Sequence, residues 1–459
     1  MPRLAISDAL LDKYDTSAPR YTSYPPIPYW PAVTEEERQN WNDDEMPAVG
    51  GSLSLYIHVP FCASRCYYCG CFVVITSKKE QGRRYAEAVK KEMALVQDRI
   101  APRGRVRQFH FGGGTPTFLP VETLSQMVDT ARELYPFDDE PEMSIEIDPR
   151  TVPADSLERL RGIGFNRISM GIQDFDERVQ RLVNRIQPYS LVAGLMEAGR
   201  GLGFSSINFD LIYGLPGQTP GSFAETINRV GDLRPDRIAL YHYAHLPQSI
   251  PYQRRFAPES LPTKETKLEI FLSARERLTD WGYVPIGLDH FALGDDDLAT
   301  AYRDGSLQRN FMGYTTQAGD ETLAFGISSI SDYRGRFWQN EKKLNRYYQA
   351  VEGGGIPIAR AMRLDGEDRL RKNVIQHLFC AGRVDFDDLA HRFEIDPQRH
   401  FADELRLLEP MARDGLVVLD TRGISVTDVG QMFLRNIAVV FDAYHATDSG
   451  VAAKFSRTV

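Results

Sequence analysis

Short β-type runs alternate with helical stretches along this chain, and the alternation limits the folds open to it more than any other feature. The helical stretches carry apolar residues at three- and four-residue steps. Repeated strand–helix units build parallel sheets, because each helix returns the chain to the same edge. Six such units fall short of the eight of a complete barrel, so we expect an α/β fold with a partial (β/α)6 barrel of the TIM type. The six runs cover residues 52–59, 106–111, 142–147, 166–172, 206–213 and 237–243.

Unusual motifs stand where these predicted strands end. Loops at the carboxyl ends of parallel strands share one edge of the sheet and therefore one cavity. We predict a single site there, to which the turn-rich segments 287–291 and 309–317 also contribute. The motifs are the cysteine-rich segment 61–71, the glycine triplet 112–114, the run from Glu146 to Pro149, Gln173, and the glycine-rich turn 213–219.

The length of 459 residues exceeds one compact core and suggests several domains. Residues 1–45 are rich in proline and aromatic residues without helical or strand period, and we interpret them as an N-terminal arm. Residues 46–365 are predicted to form the catalytic domain, with the barrel core at about 52–250. Residues 366–459 are expected to form a mainly helical C-terminal domain whose helices and hairpin follow the order of a winged helix.

Charge and hydropathy exclude several classes of partner and location. The net charge is -9, and acidic side chains outnumber basic ones in the winged-helix-like region, so we expect no nucleic-acid partner. No stretch has the length and apolarity of a secretory signal or a membrane span. The sequence therefore predicts a cytoplasmic protein without a membrane partner, and we expect a monomer.

Four of the five cysteines fall within ten residues, at Cys62, Cys66, Cys69 and Cys71. Disulfide frameworks spread cysteines over a small secreted chain, so a metal or redox site fits better. The spacing matches neither ferredoxin pattern, and no second Cys or His pair follows as in a structural zinc site. Three thiolates on a four-iron cluster would leave one iron open to chelate a cofactor.

The three-cysteine spacing after the first strand of a βα barrel resembles the signature of the radical S-adenosylmethionine superfamily. That resemblance implies a [4Fe-4S] cluster bound by Cys62, Cys66 and Cys69. It also implies reductive cleavage of S-adenosylmethionine, which yields a 5'-deoxyadenosyl radical that abstracts hydrogen from the substrate. The protein then positions the cofactor and excludes water.

A wider resemblance covers nearly the whole chain and is to the oxygen-independent coproporphyrinogen III oxidases of that superfamily. It includes PRYTSYP (19–25), LYIHVPFC (55–62), FGGGTPT (111–117), IEIDPR (145–150), FNRISMGIQDF (165–175), NFDLIYGLPGQT (208–219) and the C-terminal domain. The resemblance implies conversion of two propionate groups of coproporphyrinogen III to vinyl groups, giving protoporphyrinogen IX in haem biosynthesis. An unidentified low-potential electron donor and an electron acceptor are implied as partners.

Family members bind two S-adenosylmethionine molecules, and the resemblance carries their contacts over to positions of this sequence. Tyr56, Glu146 and Ile330 are the residues expected to be catalytic. The same resemblance implies that Cys71 marks this branch and is not a cluster ligand. The cluster-bound molecule would meet Tyr56, Gly113, Glu146 and Ile330, and the second would meet Tyr68, Gly114, Thr115, Gln173, Arg185, Asp210 and Ala244.

Two further positions bear on the substrate. Arg20, in the arm, is the candidate clamp for a propionate, because a guanidinium pairs a carboxylate bidentately. Met312 occupies a position where some family members place glutamine, which puts a polar role there in doubt.

Two other functions within the superfamily are alternatives to the oxidase. A haem chaperone would keep the cluster motif without oxidase activity, but such paralogues lack Cys71 and the PRYTSYP arm, and both are present here. A haem-degrading methyltransferase would use S-adenosylmethionine as a methyl donor. The reaction product discriminates among the three.

Overall fold

The computed structural model describes residues 6–41, 51–316, 321–445 and 455–458. Within them the strands are β1 (Ser52–Val59), β2 (Phe61–Cys62), β3 (Val74–Ile75), β4 (Arg105–Gly113), β5 (Phe137–Ile147), β6 (Arg167–Gln173), β7 (Ser206–Tyr213), β8 (Arg237–His242), β9 (Tyr283–Ile286), β10 (His290–Leu293), β11 (Gln308–Asn310), β12 (Gly313–Thr315), β13 (Glu321–Phe325), β14 (Ile330–Tyr333), β15 (Arg336–Asn340), β16 (Ile358–Arg363), β17 (Arg383–Asp385), β18 (Val417–Asp420) and β19 (Gly423–Val426).

The helices of the same residues are α1 (Asp8–Tyr14), α2 (Glu35–Gln39), α3 (Lys79–Ile100), α4 (Val121–Leu134), α5 (Ala154–Ile163), α6 (Glu177–Leu182), α7 (Tyr189–Gly201), α8 (Pro220–Leu233), α9 (Lys264–Asp280), α10 (Asp297–Asp304), α11 (Leu344–Glu352), α12 (Gly366–Ala381), α13 (Phe386–Phe393), α14 (Pro397–His400), α15 (Ala402–Arg413) and α16 (Leu434–Val439). No helix of the described chain is long and apolar enough to cross a membrane.

The central sheet confirms the predicted α/β fold class. The six predicted runs are β1 and β4 to β8, and they lie side by side in parallel, in chain order. A further parallel strand that was not among the predicted runs, β13, pairs with β1 on its other side. Antiparallel strands extend both edges to twelve strands among the described residues. The barrel is therefore open, and its lumen remains accessible.

Side-chain alternation along β1 shows how the sheet divides its two faces. Leu53, Leu55 and Ile57 are fully buried on the outer face, which packs against the helices. Each such side chain contributes about 1.5–3 kcal/mol of burial free energy. Tyr56 and His58 alternate with them and face the lumen, where polar side chains meet a cavity. The outer face thus stabilises the fold and leaves the inner face for chemistry.

The arm and the C-terminal domain share one hydrophobic cluster. Tyr14, Tyr21 and Tyr24 of the arm pack with residues of α12 and α16. The arm holds two helices that the sequence pattern did not reveal: Ser7 caps α1, and a capping box of Thr34 begins α2. These caps stabilise helices too short for a clear apolar period.

The C-terminal domain has the winged-helix-like order expected of it, with α12 to α15 and an antiparallel sheet of β17, β19 and β18. Within it, α14 and α15 are separated by the single residue Phe401. The arm boundary predicted near residue 46 lies outside the described residues, as does Gln317 of the segment 309–317.

A buried carboxylate, Glu92 of α3, secures the turn that leads from β13 into β14. It accepts hydrogen bonds from the Gly326 backbone N–H at 2.8 Å, the Tyr347 hydroxyl at 2.6 Å and the Asn340 amide at 2.5 Å. Burial raises the pKa of Glu92 from 4.5 to about 7, although these three donors oppose the rise. Ile327 donates its N–H to the Tyr85 hydroxyl at 2.9 Å, which fixes the same turn from the other side.

Replacing Glu92 with Gln is expected to remove a pH-dependent cost from the folded state. The pKa of Glu92 is higher in the folded than in the unfolded protein, so the folded state binds the extra proton between about pH 4.5 and 7. The stability that this proton provides is complete below pH 4.5 and is lost as the pH rises through 7. Wild-type unfolding free energy should therefore fall by about 2–3 kcal/mol relative to the variant across that window.

Urea denaturation at pH 5 and pH 8 measures this difference. Glu87→Gln on the same helix is the control, because Glu87 is exposed and paired only with Lys90. A difference between wild type and Glu92→Gln that does not vary with pH would contradict the expectation.

Candidate functional site

A cavity of about 400 Å³ opens at the carboxyl ends of the parallel strands. That volume lies within the usual range of small-molecule sites. Its walls combine the cysteine segment, the glycine loop after β4 and the ends of β5 to β8. The segments 287–291 and 309–317 reach it through His290, Asn310, Met312 and Tyr314. Strand-end motifs that are far apart in sequence therefore line one cavity.

Strand register determines which side chains meet in the lumen. Glu146 on β5 pairs with Ser169 on β6, which pairs with Asn208 on β7. Residues opposite each other in a sheet project from the same face. Two residues further along β7, Asp210 continues this polar lining. The register explains why alternate polar residues of consecutive strands point into the cavity.

The cysteine loop begins at β2 and runs along one wall. The sulfur of Cys66 lies 3.6 Å from Nη1 of Arg185 and 3.6 Å from Nη2 of Arg150. The sulfur of Cys62 lies 3.5 Å from the hydroxyl of Thr115. Burial raises the pKa of the Cys62 thiol to about 11 when no metal is bound. Two positive charges beside one sulfur suit an anionic metal centre.

The donor set fits an iron–sulfur cluster. Cys62, Cys66 and Cys69 line one end of the cavity, but no three His, Cys, Asp or Glu side chains of the described residues are grouped closely enough to hold a single metal ion. A zinc site needs its donors around one ion, whereas a four-iron cluster takes each thiolate on a different iron. At Gly114 a Cβ would stand 3.0 Å from the Cys62 sulfur, so glycine leaves the space beside that ligand open.

Glu146 is held as an anion next to the glycine loop. It accepts the Gly113 backbone N–H at 3.0 Å and lies 3.4 Å from Nε2 of His110. Burial would raise the pKa of Glu146, but the hydrogen bond and charge of His110 outweigh it and hold the pKa below 4.5. A Cβ at Gly112 would stand 2.8 Å from this carboxylate, so the glycine permits the close approach. A fixed carboxylate here can accept ribose hydroxyls or an ammonium group.

Asp210 and Gln173 stand on neighbouring strands of the same wall. Asp210 accepts hydrogen bonds of 2.9 Å from Ser169 and Asn208. Burial, with the negative charge of Glu146, raises the pKa of Asp210 to about 6. Gln173 ends β6 with a φ of +69°, a left-handed conformation that costs a non-glycine residue free energy. Strain of this kind concentrates at ligand sites, which supports a binding role for the strand end.

Arg185 is a buried cation of the site and is only 6% exposed. Its Nη1 lies 3.2 Å from Asp148, and its Nη2 donates to the Gly171 carbonyl at 2.5 Å. Burial opposes ionisation of Asp148, but Arg185 and Arg150 outweigh it and hold the pKa of Asp148 below its usual value. Asp148 and Arg150 were not predicted as site residues, although the run 145–150 contains both. His110 was also missed, because a single histidine inside a strand carries no spacing signal.

The structure brings most of the predicted residues to the cavity wall and leaves four outside it. The Tyr56 ring stacks on His110 at 5.7 Å, and Ile330 packs beside Trp30. The Ala244 carbonyl accepts from Gln253 at 3.2 Å. The predicted site residues that line the cavity wall are Cys62, Cys66, Cys69, Tyr68, Gly113, Gly114, Thr115, Glu146, Gln173, Arg185 and Asp210.

Arg20 is the fourth predicted residue outside the wall. Its Nη1 lies 3.6 Å from Asp289, and its Nη2 donates to the His242 carbonyl at 2.9 Å. It borders a separate small cavity of about 40 Å³ between β8 and the C-terminal domain. In this arrangement its guanidinium already has protein partners.

Comparison with known proteins adds to this geometry. Residues 56–230 match the model of the radical SAM superfamily, and residues 364–433 match that of the HemN C-terminal domain. The oxygen-independent coproporphyrinogen III oxidase of Salmonella typhimurium is 43% identical over 456 residues, covering 98% of each chain. That of Pseudomonas aeruginosa is 42% identical over 453 residues, covering 98% of each.

A solved structure of the same family is similar to this chain along nearly its whole length. The coproporphyrinogen III oxidase HemN from Escherichia coli, described as a radical SAM enzyme, superposes with a TM-score of 0.87 at 41% identity, covering 95% of this chain and 99% of that one.

Proposed function

This chain belongs to the family of oxygen-independent coproporphyrinogen III oxidases, and we propose that it converts two propionate groups of coproporphyrinogen III to vinyl groups, giving protoporphyrinogen IX in haem biosynthesis. Each propionate loses a hydrogen atom from its β-carbon, one electron and carbon dioxide. The electron passes to an acceptor. The observation that carries the proposal is 43% identity along 98% of the chain, with the three cysteines at one end of a lumen-facing cavity.

The cofactors are a [4Fe-4S] cluster and S-adenosylmethionine, as in the superfamily to which residues 56–230 belong. When bound, they supply a 5'-deoxyadenosyl radical that takes the hydrogen atom. Cys62, Cys66 and Cys69 are the proposed cluster ligands, and Cys71 is not one. Within this proposal the cavity holds two molecules of S-adenosylmethionine.

The protein groups have distinct proposed tasks in binding. Glu146, ionised and fixed by the Gly113 N–H, accepts hydrogen bonds from the cluster-bound cofactor. Arg185 presents a guanidinium to the carboxylate of the second cofactor, and Asp210 accepts its ribose or ammonium group. Tyr68 offers an aromatic face to adenine. Tyr56 and Ile330 complete the first cofactor site.

The chemistry of the reaction indicates the cellular location of the protein and the electron partners that it needs. Free cysteines and a reduced cluster suit the reducing cytoplasm, which we propose as the location. A low-potential electron donor and an electron acceptor are needed, and we propose a monomer that acts without nucleic acid or a membrane. Cys71 and the arm motif, both absent from haem-chaperone paralogues, favour the oxidase over a haem chaperone, and the reaction product distinguishes it from a haem-degrading methyltransferase.

An anaerobic assay of the reconstituted protein tests the proposal. With coproporphyrinogen III, S-adenosylmethionine and a strong reductant, we expect carbon dioxide, 5'-deoxyadenosine and protoporphyrinogen IX. Two molecules of carbon dioxide should form per protoporphyrinogen, since two propionates react. Tight haem binding without these products would favour the chaperone, and transfer of a methyl group would favour the methyltransferase.

A further inference from the structure

His290 lies on the lumen face of β10 and lines the same cavity as the cysteine loop. Register connects Gly171 on β6, Asp210 on β7, Ala239 on β8 and His290 on β10 as one row of neighbouring positions. Ala239 is the small side chain between Asp210 and His290 in this row. His290 lines the cavity together with Tyr241 and Met312.

The orientation of this imidazole is fixed by its neighbours. Nδ1 of His290 lies 2.8 Å from Oδ1 of the buried Asp289. The ring packs edge-on against Tyr241 at 5.9 Å and Tyr314 at 5.0 Å. Since Nδ1–H donates to the carboxylate, Nε2 is the nitrogen left for a ligand, and in the imidazolium form its N–H donates to that ligand. Among the described residues Nε2 has no hydrogen-bond partner.

Positive charge exceeds negative charge around this pair. Arg20 lies 3.6 Å from the second oxygen of Asp289, so that carboxylate is shared by a histidine and an arginine. The charge of Arg309 also acts on Asp289. Nε of Arg309 is buried and has no hydrogen-bond partner in the described part of the chain. Asp289 thus faces three basic groups, and the other carboxylate of this row, Asp210, lies beyond Ala239. Basic groups therefore still outnumber acidic ones on this side of the cavity, and an anionic ligand would offset them.

We propose that His290, oriented by Asp289, binds a carboxylate of the substrate, namely one propionate of coproporphyrinogen III. The inference rests on the proposed function and adds a substrate contact to it. Arg20 contributes to this site only through its ion pair with Asp289, because it does not line the cavity itself. Asp289 is therefore a positioning residue, and His290 touches the ligand. A methionine carboxylate of S-adenosylmethionine is the other source of the same chemistry.

The test compares the reconstituted wild-type enzyme with His290→Phe, which keeps the ring contacts but loses both nitrogens. We expect the KM for coproporphyrinogen III to rise about tenfold or more, the loss typical of one charge-assisted hydrogen bond. The KM for S-adenosylmethionine and the iron–sulfur absorbance should stay unchanged. His377→Phe is the matched control, because His377 lies on α12 and its Nδ1 contacts only the Asn373 carbonyl of the same helix.

Asp289→Asn provides a second measurement that keeps the packing. It should raise the same KM, and the double variant should show little further effect because both residues act through one contact. An unchanged KM for coproporphyrinogen III in His290→Phe and Asp289→Asn would overturn the inference. A rise confined to S-adenosylmethionine would also overturn it. If wild-type enzyme releases no carbon dioxide, the proposed function itself fails, which is a distinct result.

Discussion

Replacing Cys62, Cys66 or Cys69 with Ser is expected to abolish the iron–sulfur absorbance and all release of carbon dioxide and 5'-deoxyadenosine. Each thiolate would bind a different iron, so the loss of one leaves the cluster incomplete. Serine is similar in size but binds iron poorly. The effect should be a loss of at least about 1,000-fold in turnover, because no other group of the site can start the radical reaction.

Cys71→Ser is the matched control on the same loop. Cys71 lies within the same short segment, but we propose that it is not a cluster ligand. Its variant should keep the iron–sulfur absorbance, because all three proposed ligands are still present. Measurement is by anaerobic reconstitution, iron and sulfide analysis and visible spectroscopy. A full cluster in any of the first three variants, or none in Cys71→Ser, would refute the ligand assignment.

Arg185→Ala is expected to reduce kcat/KM by about 100-fold or more and to lower the S-adenosylmethionine stoichiometry from two to one. Arg185 is buried and pairs with Asp148 at 3.2 Å. Truncating one partner of a buried charge pair costs roughly 2–5 kcal/mol, much of it from the carboxylate left unpaired. Arg185→Lys should recover little, because an ammonium lacks the fork that reaches both Asp148 and the Gly171 carbonyl.

Equilibrium binding of S-adenosylmethionine to the reconstituted enzyme measures the stoichiometry. Arg181→Ala is the control, since Arg181 lies on the adjacent α6 but is exposed and pairs only with Glu177 at 2.6 Å. The iron–sulfur absorbance of Arg185→Ala should remain, because all three cysteines are intact. Unchanged turnover with two molecules still bound would contradict the role of Arg185.

Local sequence determined the parallel core and the position of its motifs. The short β-type runs that became β1 and β4 to β8, separated by helical stretches with apolar residues at three- and four-residue steps, predicted parallel strand–helix units. The cysteine spacing predicted the cluster chemistry, since ligand geometry is set over a few residues. The parallel strand β13 was missed, as its five residues stand among turns and its partner β1 lies more than two hundred residues earlier.

Tertiary structure alone decided which charges meet. Nothing in the spacing of Asp148, Arg150 and Arg185 connects them to Cys66, since their contacts arise only when strand ends converge. The same holds for His290, which reaches the cavity through antiparallel pairing of β10 with β8. Arg20 shows the converse: its residue type suggested a propionate clamp, but the fold pairs it with Asp289 behind the wall. Sequence thus determined the strand-end motifs and their chemistry, while long-range packing determined their electrostatic partners, because those depend on register and not on separation along the chain.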